Sequence, residues 1–243
     1  MSIPEFRMRC SSLGQLMTDP KVIDPALLDE ETAVIAKKKV KTDEEQAMLA
    51  VLFDSSLSAG AKTYLEDWAQ EFMLDYHAVV TSKYMEKGTI VEPEAIALYN
   101  RRFFTSWAKN TERRHNDWIA GECDIYTGSK TIDTKSSWSR QTFPLTACKG
   151  HDRDYEWQGR GYMWLWDVEQ HDVAYCLVDT PEELIRYEQR DLHEVDHLPE
   201  HLRITIVSYQ RDRALEEKIK RKVIAARRYL AAYIERVNLE HPL

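Results

Sequence analysis

A chain of 243 residues in which 43% of side chains are apolar and 10% aromatic can bury a sizeable core without disulfides or a cofactor. Its 33 basic and 41 acidic side chains give a net charge of −8, which excludes coating of nucleic acid or acidic membrane by bulk attraction; any DNA contact must use a local basic patch. No apolar run approaches the roughly 20 residues of a bilayer span, and the start MSIPEFRMRC lacks the apolar stretch of a secretory signal, so the expected location is the cytoplasm, with no membrane partner.

No repeat or Gly/Ser linker divides the sequence. It reads as a single domain with a helical N-terminal part over residues 1–80, a core over 81–210 and a C-terminal helix over 212–238. Segments 43–53 and 59–77 have helix-forming composition, and 86–104 carries apolar residues at helical spacing. From Trp118 to Trp138, β-formers flank Thr127-Gly128-Ser129-Lys130, a turn signal that predicts a hairpin. A helix over 154–166, strands over 173–178 and 203–209, and a long amphipathic helix through Leu215, Ile219, Val223, Ala226, Leu230 and Val237 complete an α/β pattern. Cys10, Cys123, Cys148 and Cys176 lie far apart with no CxxC pair, and read as reduced, buried thiols rather than metal ligands.

The chemistry concentrates in the hairpin. With 127–130 as the loop, Tyr126 faces Thr131, Ile125 faces Ile132 and Asp124 faces Asp133. Two carboxylates on directly opposed positions repel unless a cation lies between them, which a divalent ion would supply. Lys135, two residues beyond Asp133, projects on the same face. Hard oxygen ligands for Mg²⁺ beside an ammonium group suit phosphodiester hydrolysis. The competing reading pairs Glu122 with Lys135 across the strands and leaves the aspartates solvated.

Several separated motifs together resemble the PD-(D/E)xK nuclease superfamily, and within it the lambda-exonuclease-like group that includes the YqaJ-type viral recombination exonucleases. Asp124 and the tripeptide Asp133-Thr134-Lys135 match its metal pair and lysine, with Cys123 standing where the motif's Pro is expected. Lys87-Gly88-Thr89-Ile90-Val91-Glu92 is similar to a family helix that begins with Gly and carries a third acidic ligand, here Glu92. Trp157-Gln158-Gly159-Arg160-Gly161-Tyr162 is similar to its Gln-containing helix, with Arg160 where a second Gln is frequent and two glycines that soften the helix. Arg9-Cys10-Ser11-Ser12 is similar to the segment that contributes to binding a terminal 5′-phosphate; the alternative for Ser11 or Ser12 is a helix N-cap.

The resemblance implies a restriction-endonuclease-like α/β core, a mixed central sheet flanked by helices. In it Glu92, Asp124, Asp133 and the Thr134 carbonyl hold one or two Mg²⁺ or Mn²⁺ ions, Lys135 positions the attacking water and Gln158 orients it. Arg9, Ser11, Ser12, Arg160 and Tyr162 would contact DNA or its 5′-phosphate. The implied activity is 5′-to-3′ resection of linear double-stranded DNA from its ends, leaving a 3′ strand for a single-strand annealing protein in phage-type recombination. Close relatives assemble into homo-oligomeric rings, and a phage-encoded member would act in the host cytoplasm. An endonuclease of the same superfamily and a non-catalytic DNA-binding or assembly protein are the competing functions.

Outside these motifs, Arg101, Arg102, Lys109, Arg113 and Arg114 interleave with Phe103, Phe104 and Trp107, a candidate DNA rim whose aromatics read more readily as core. The KKKVK run at 37–41 reads as a solvated loop, and Trp138 as packing or as a wall of the DNA path. His193, His197 and His201 recur every four residues, but Pro199 breaks the helix, which predicts an exposed acidic loop without a metal role.

Overall fold

The computed structural model describes residues 6–79 and 81–242. In chain order the elements are β1 (Met8–Arg9), α1 (Leu13–Leu16), α2 (Glu30–Lys37), α3 (Asp43–Asp54), α4 (Ala59–Met73), α5 (Lys83–Phe103), β2 (Arg114–His115), β3 (Ile119–Gly121), β4 (Ile125–Tyr126), β5 (Lys130–Ser136), α6 (Arg153–Trp166), β6 (Gln170–Cys176), α7 (Glu182–Ile185), β7 (Ile204–Gln210) and α8 (Arg213–Glu240). They fall into two compact units. One contains the chain up to Ala78, Asp117–Ile119 and everything from Asp212; the other contains Val79–Asn116 and Ala120–Arg211.

The second unit is built on a four-stranded sheet in the order β4-β5-β6-β7. β5 and β6 are parallel, joined through α6, and the other two pairings are antiparallel. Alternation then sends Ile132, Thr134, Asp172, Ala174 and Cys176 to one face and Thr131, Asp133, Lys135, His171, Val173 and Tyr175 to the other. On the first face α5 contributes Val91, Ala95, Leu98 and Tyr99 to a core with Ile125, Ile132, Ala174 and Cys176. Full burial of each large apolar chain there is worth about 1.5–3 kcal/mol. α6 covers the second face. A Cβ on Gly159 would lie 2.1 Å from the His171 ring, so this glycine is a close-packing position rather than a softening of the helix.

α5 begins three residues before the predicted 86 because Ser82 caps it, its hydroxyl accepting from Met85 N. Gly88 is consequently interior to the helix and does not start it. Lys87, fully buried, donates to the carbonyls of Ser137, Trp138 and Val178 at 2.6, 3.1 and 3.0 Å and to Thr180 Oγ1 at 2.8 Å. It thereby fastens α5 to the segments that leave β5 and β6, and burial pulls its ammonium down to about 8.

In the first unit α4 packs against α8, whose buried stripe is Ile219, Val223, Ala226, Leu230 and Ile234. α3 is closed by a capping box between Thr42 and Glu45. The predicted helix over 59–77 stops at Met73, and Asp75 takes a left-handed conformation just beyond.

Two further expectations, for His193 and Cys148, are corrected, and the packing reading of Trp138 holds. His193 is buried, with Nδ1 against Thr180 Oγ1 at 3.1 Å and its ring edge-on to Trp138, so only His197 and His201 are exposed. Trp138 is itself packed between Tyr84 and His193 and is 7% exposed, which makes it core rather than a DNA wall. Cys148 is exposed, whereas the other three cysteines are buried, and none of the four is in a disulfide. No described helix is long and apolar enough to cross a membrane.

Candidate active site

The hairpin forms in the predicted register, with Ile125 opposite Ile132 and Tyr126 opposite Thr131. Thr127 N donates to Lys130 O at 3.0 Å to close the turn, and Gly128 takes the φ of +87° that a side chain would resist. The first arm is shorter than expected. Ile119–Gly121 turns instead toward β2, where Gly121 faces Arg114 and Ala120 faces His115, and residues 122–124 leave the ladder, so the expected cross-strand pair of Asp124 with Asp133 does not form.

That break is what shapes the site. Freed from strand geometry, Asp124 turns Oδ2 onto Thr134, accepting from its N at 2.6 Å and its Oγ1 at 2.8 Å. A strand residue's N–H and C=O point to the same edge, so the Thr134 carbonyl also faces the gap beyond the end of β4. Asp133 lies on the α6 face, 3% exposed, with its Oδ2 buried. That oxygen's neighbour is Lys135 Nζ, 2.5 Å away, in an ion pair. Lys135 also donates to Gln158 Oε1 at 3.2 Å. The Gln158 amide is oriented from behind, since Nε2 donates to Tyr162 Oη at 2.8 Å. Tyr162 in turn packs on His171, whose Nδ1 lies 2.9 Å from Thr131 Oγ1.

The electrostatics follow from this crowding. Burial, and then the charge of Asp133, push the Asp124 carboxyl up to about 7, against the pull of the Thr134 hydrogen bonds. Burial disfavours the charge on Lys135, yet the Asp133 carboxylate outweighs it and holds the lysine above its ordinary value. Burial takes His171 down to about 4, so it is a neutral packing group. The Cys123 thiol is pushed up to about 12, mainly by burial, and is no nucleophile.

A cleft of about 550 Å³ opens over these groups, lined among others by Glu92, Lys109, Asp124, Asp133, Lys135 and Gln158. Glu92 reaches it from α5, but its carboxylate is ion-paired with Lys109. Among the described residues no three His, Cys, Asp or Glu side chains converge as a ready metal centre. The donor set is nevertheless that of a hard divalent ion: two buried carboxylates close enough to repel, only one of them paired with a lysine, and a main-chain carbonyl on the edge that Asp124 faces. Asp124, Asp133 and the Thr134 carbonyl are the groups that would hold it, with Glu92 joining once it leaves Lys109.

Other predicted residues are placed elsewhere. Glu122 does not pair with Lys135; it is exposed at the cleft margin. Arg160 is outside the cleft lining, bound to Glu156 at 2.5 Å and to Gln210 O at 3.1 Å. Arg9, Ser11 and Ser12 belong to the other unit. There Arg9 lines a separate cleft with Trp68, Glu71, Phe72 and His77, and Ser12, at the N-cap position of α1, makes no capping hydrogen bond. Tyr155 was not foreseen. Its ring lies 4.4 Å from Lys135 Nζ, and its spacing of three from Gln158 on a helix was the available signal.

An acid pair and a lysine at the β4–β5 hairpin of a helix-flanked mixed sheet define a PD-(D/E)xK nuclease core. Comparison with solved structures agrees. A phage-related exonuclease from Haemophilus somnus 129PT is 33% identical, with a TM-score of 0.78, over 96% of this chain and 97% of its own. The chain therefore belongs to the phage-related, lambda-exonuclease-like family. An alkaline exonuclease from Laribacter hongkongensis shares the fold at 15% identity, with a TM-score of 0.61, over 96% of this chain and 92% of its own; its complex with dAMP gives 16% and 0.62. No protein-family model and no curated protein matches the sequence.

Proposed function

We propose that the protein is a divalent-metal-dependent DNA exonuclease that resects linear duplexes 5′ to 3′, leaving a 3′ strand for a single-strand annealing partner. The observation that carries this reading is the convergence of Asp124, Asp133, Lys135 and Gln158 on one cleft, in a chain of the exonuclease family. A bound Mg²⁺ or Mn²⁺ would supply Lewis acidity toward the scissile phosphate and help ionise water.

The chain's own groups divide the remaining work. Asp124 and Asp133 fix the site of positive charge, and their mutual repulsion favours the loaded form. Lys135, held charged by Asp133 and covered by Tyr155, presents an N–H to the attacking water or to a phosphate oxygen. Gln158 limits the directions that ammonium can take, because Tyr162 fixes which end of its amide faces inward. Arg9, Ser11 and Ser12 serve as the 5′-phosphate contacts in this reading, and a homo-oligomeric ring would give it processivity; both rest on the family resemblance.

The deciding assay compares 5′-labelled linear duplex with covalently closed circular DNA, with and without Mg²⁺. Metal-dependent loss of linear DNA from its 5′ end, with the circle intact, is the expected result. Cutting of the circle identifies an endonuclease, and no metal-dependent loss of either identifies a binding protein.

A further inference from the structure

The C-terminus of α5 carries an aromatic group that the packing does not use. Phe104 closes the helix in the left-handed region, at φ 54° and ψ 44°, a place where glycine or asparagine is the ordinary choice. Its side chain is nevertheless 95% exposed, and Phe103 and Trp107 beside it are each 38% exposed. A bulky residue that is both strained and solvated contributes nothing to the core, which points to a role outside it.

The segment is held firmly. Asn100 Oδ1 accepts from Thr105 Oγ1 at 2.8 Å and from Trp107 N at 2.9 Å, while its Nδ2 donates to Trp107 O at 2.9 Å. Five residues past Phe104, Lys109 lines the catalytic cleft. Next to it Asn110 N donates to Asp124 O at 2.7 Å and Asn110 Nδ2 to Cys123 O at 2.9 Å. The loop is thus a bracket between the end of α5 and the main chain of a catalytic aspartate. Along α5, Phe104 lies about 18 Å from Glu92, a few nucleotides of extended strand.

The charge around the bracket selects its occupant. The Arg102 guanidinium lies 5.4 Å from the Phe103 ring centroid, and neither Arg102 nor Arg113 has an ion pair among the described residues. Both are exposed. An arginine without a counter-ion beside solvated rings fits a polyanion whose bases are free to stack; a paired duplex would use the cation alone.

We propose that Phe104 and Trp107, with Arg102 against the neighbouring Phe103 ring, are a stacking platform for unpaired single-stranded DNA beside the cleft. This surface deepens the nuclease reading, on which it rests, by giving the separated strand a place to bind.

The test uses full-length protein carrying Asp133→Asn, so that DNA survives, and measures fluorescence anisotropy of a duplex with an oligo-dT tail against the same duplex without one. Adding Phe104→Ala should weaken tailed-duplex binding at least tenfold and blunt-duplex binding less than twofold, with 2-aminopurine in the tail losing its quenching. Phe104→Gly should lose the tail equally while its Tm stays level or rises, since glycine relieves the left-handed backbone. Unchanged tail affinity, or equal loss on both duplexes, overturns the platform. A changed sedimentation state with unchanged tail affinity also overturns it, assigning the surface to a second copy of the chain. Failure of the wild-type protein to digest linear DNA with Mg²⁺ would sink the nuclease reading instead, and the binding assay, read without cleavage, is separate from that outcome.

Discussion

Two aspartates lie within the same sheet, equally buried, on opposite faces. Asp172, 2% exposed, faces α5 and is fully subscribed: Lys130 pairs with it, Ser208 Oγ donates at 2.6 Å and Gln170 Nε2 at 2.8 Å. Those partners overcome burial and hold its carboxyl below the usual range. Asp133, 3% exposed, faces α6 with one lysine as its ion-pair partner and a second carboxylate close enough to repel it. Burial of an acid therefore does not mark a site in this protein; burial beside a second carboxylate does.

That contrast can be broken experimentally, beginning with the largest effect. Asp133→Asn should lower Mg²⁺-dependent digestion by roughly a thousandfold or more, with an unchanged circular dichroism spectrum, because it would remove a proposed metal-holding carboxylate while the fold persists. Lys135→Ala should cost on the order of a hundredfold in kcat. Asp172→Asn should do the reverse, costing about 1–3 kcal/mol in urea unfolding through the stranded Lys130 while digestion by the folded fraction continues. Gly159→Ala should lower the Tm, at about 1–3 kcal/mol, by driving a methyl group into the His171 ring. The smallest effect belongs to Tyr162→Phe. Freeing the Gln158 amide should reduce kcat about tenfold, the scale of one hydrogen bond, with KM little changed.

The hairpin was readable because the turn residues and the register determine each other: a two-residue alternation around Gly128 leaves little choice of pairing. The Lys135 face followed from the same alternation. Glu92 could be placed at the cleft but not in its ion pair, since Lys109 arrives from a loop with no periodicity to read. The start of β6 was missed for a related reason. Gln170-His171-Asp172 looks like a polar turn, and it forms strand because Asp172 and His171 find partners inside, the latter under Gly159. Position 159 is also where composition misleads, because a glycine required by a neighbour's ring is indistinguishable in sequence from one that loosens a helix. Phe104 is a converse case, an aromatic at core-like spacing that the left-handed helix end turns out to solvent.

The central claim is that Asp124 and Asp133 tolerate each other because they share a divalent cation. Isothermal titration of Mn²⁺ into the wild-type protein and into Asp133→Asn tests it without reference to DNA. Saturable binding by the wild type that disappears in the variant is the predicted result; equal heats from the two proteins, or none from the wild type, would contradict it.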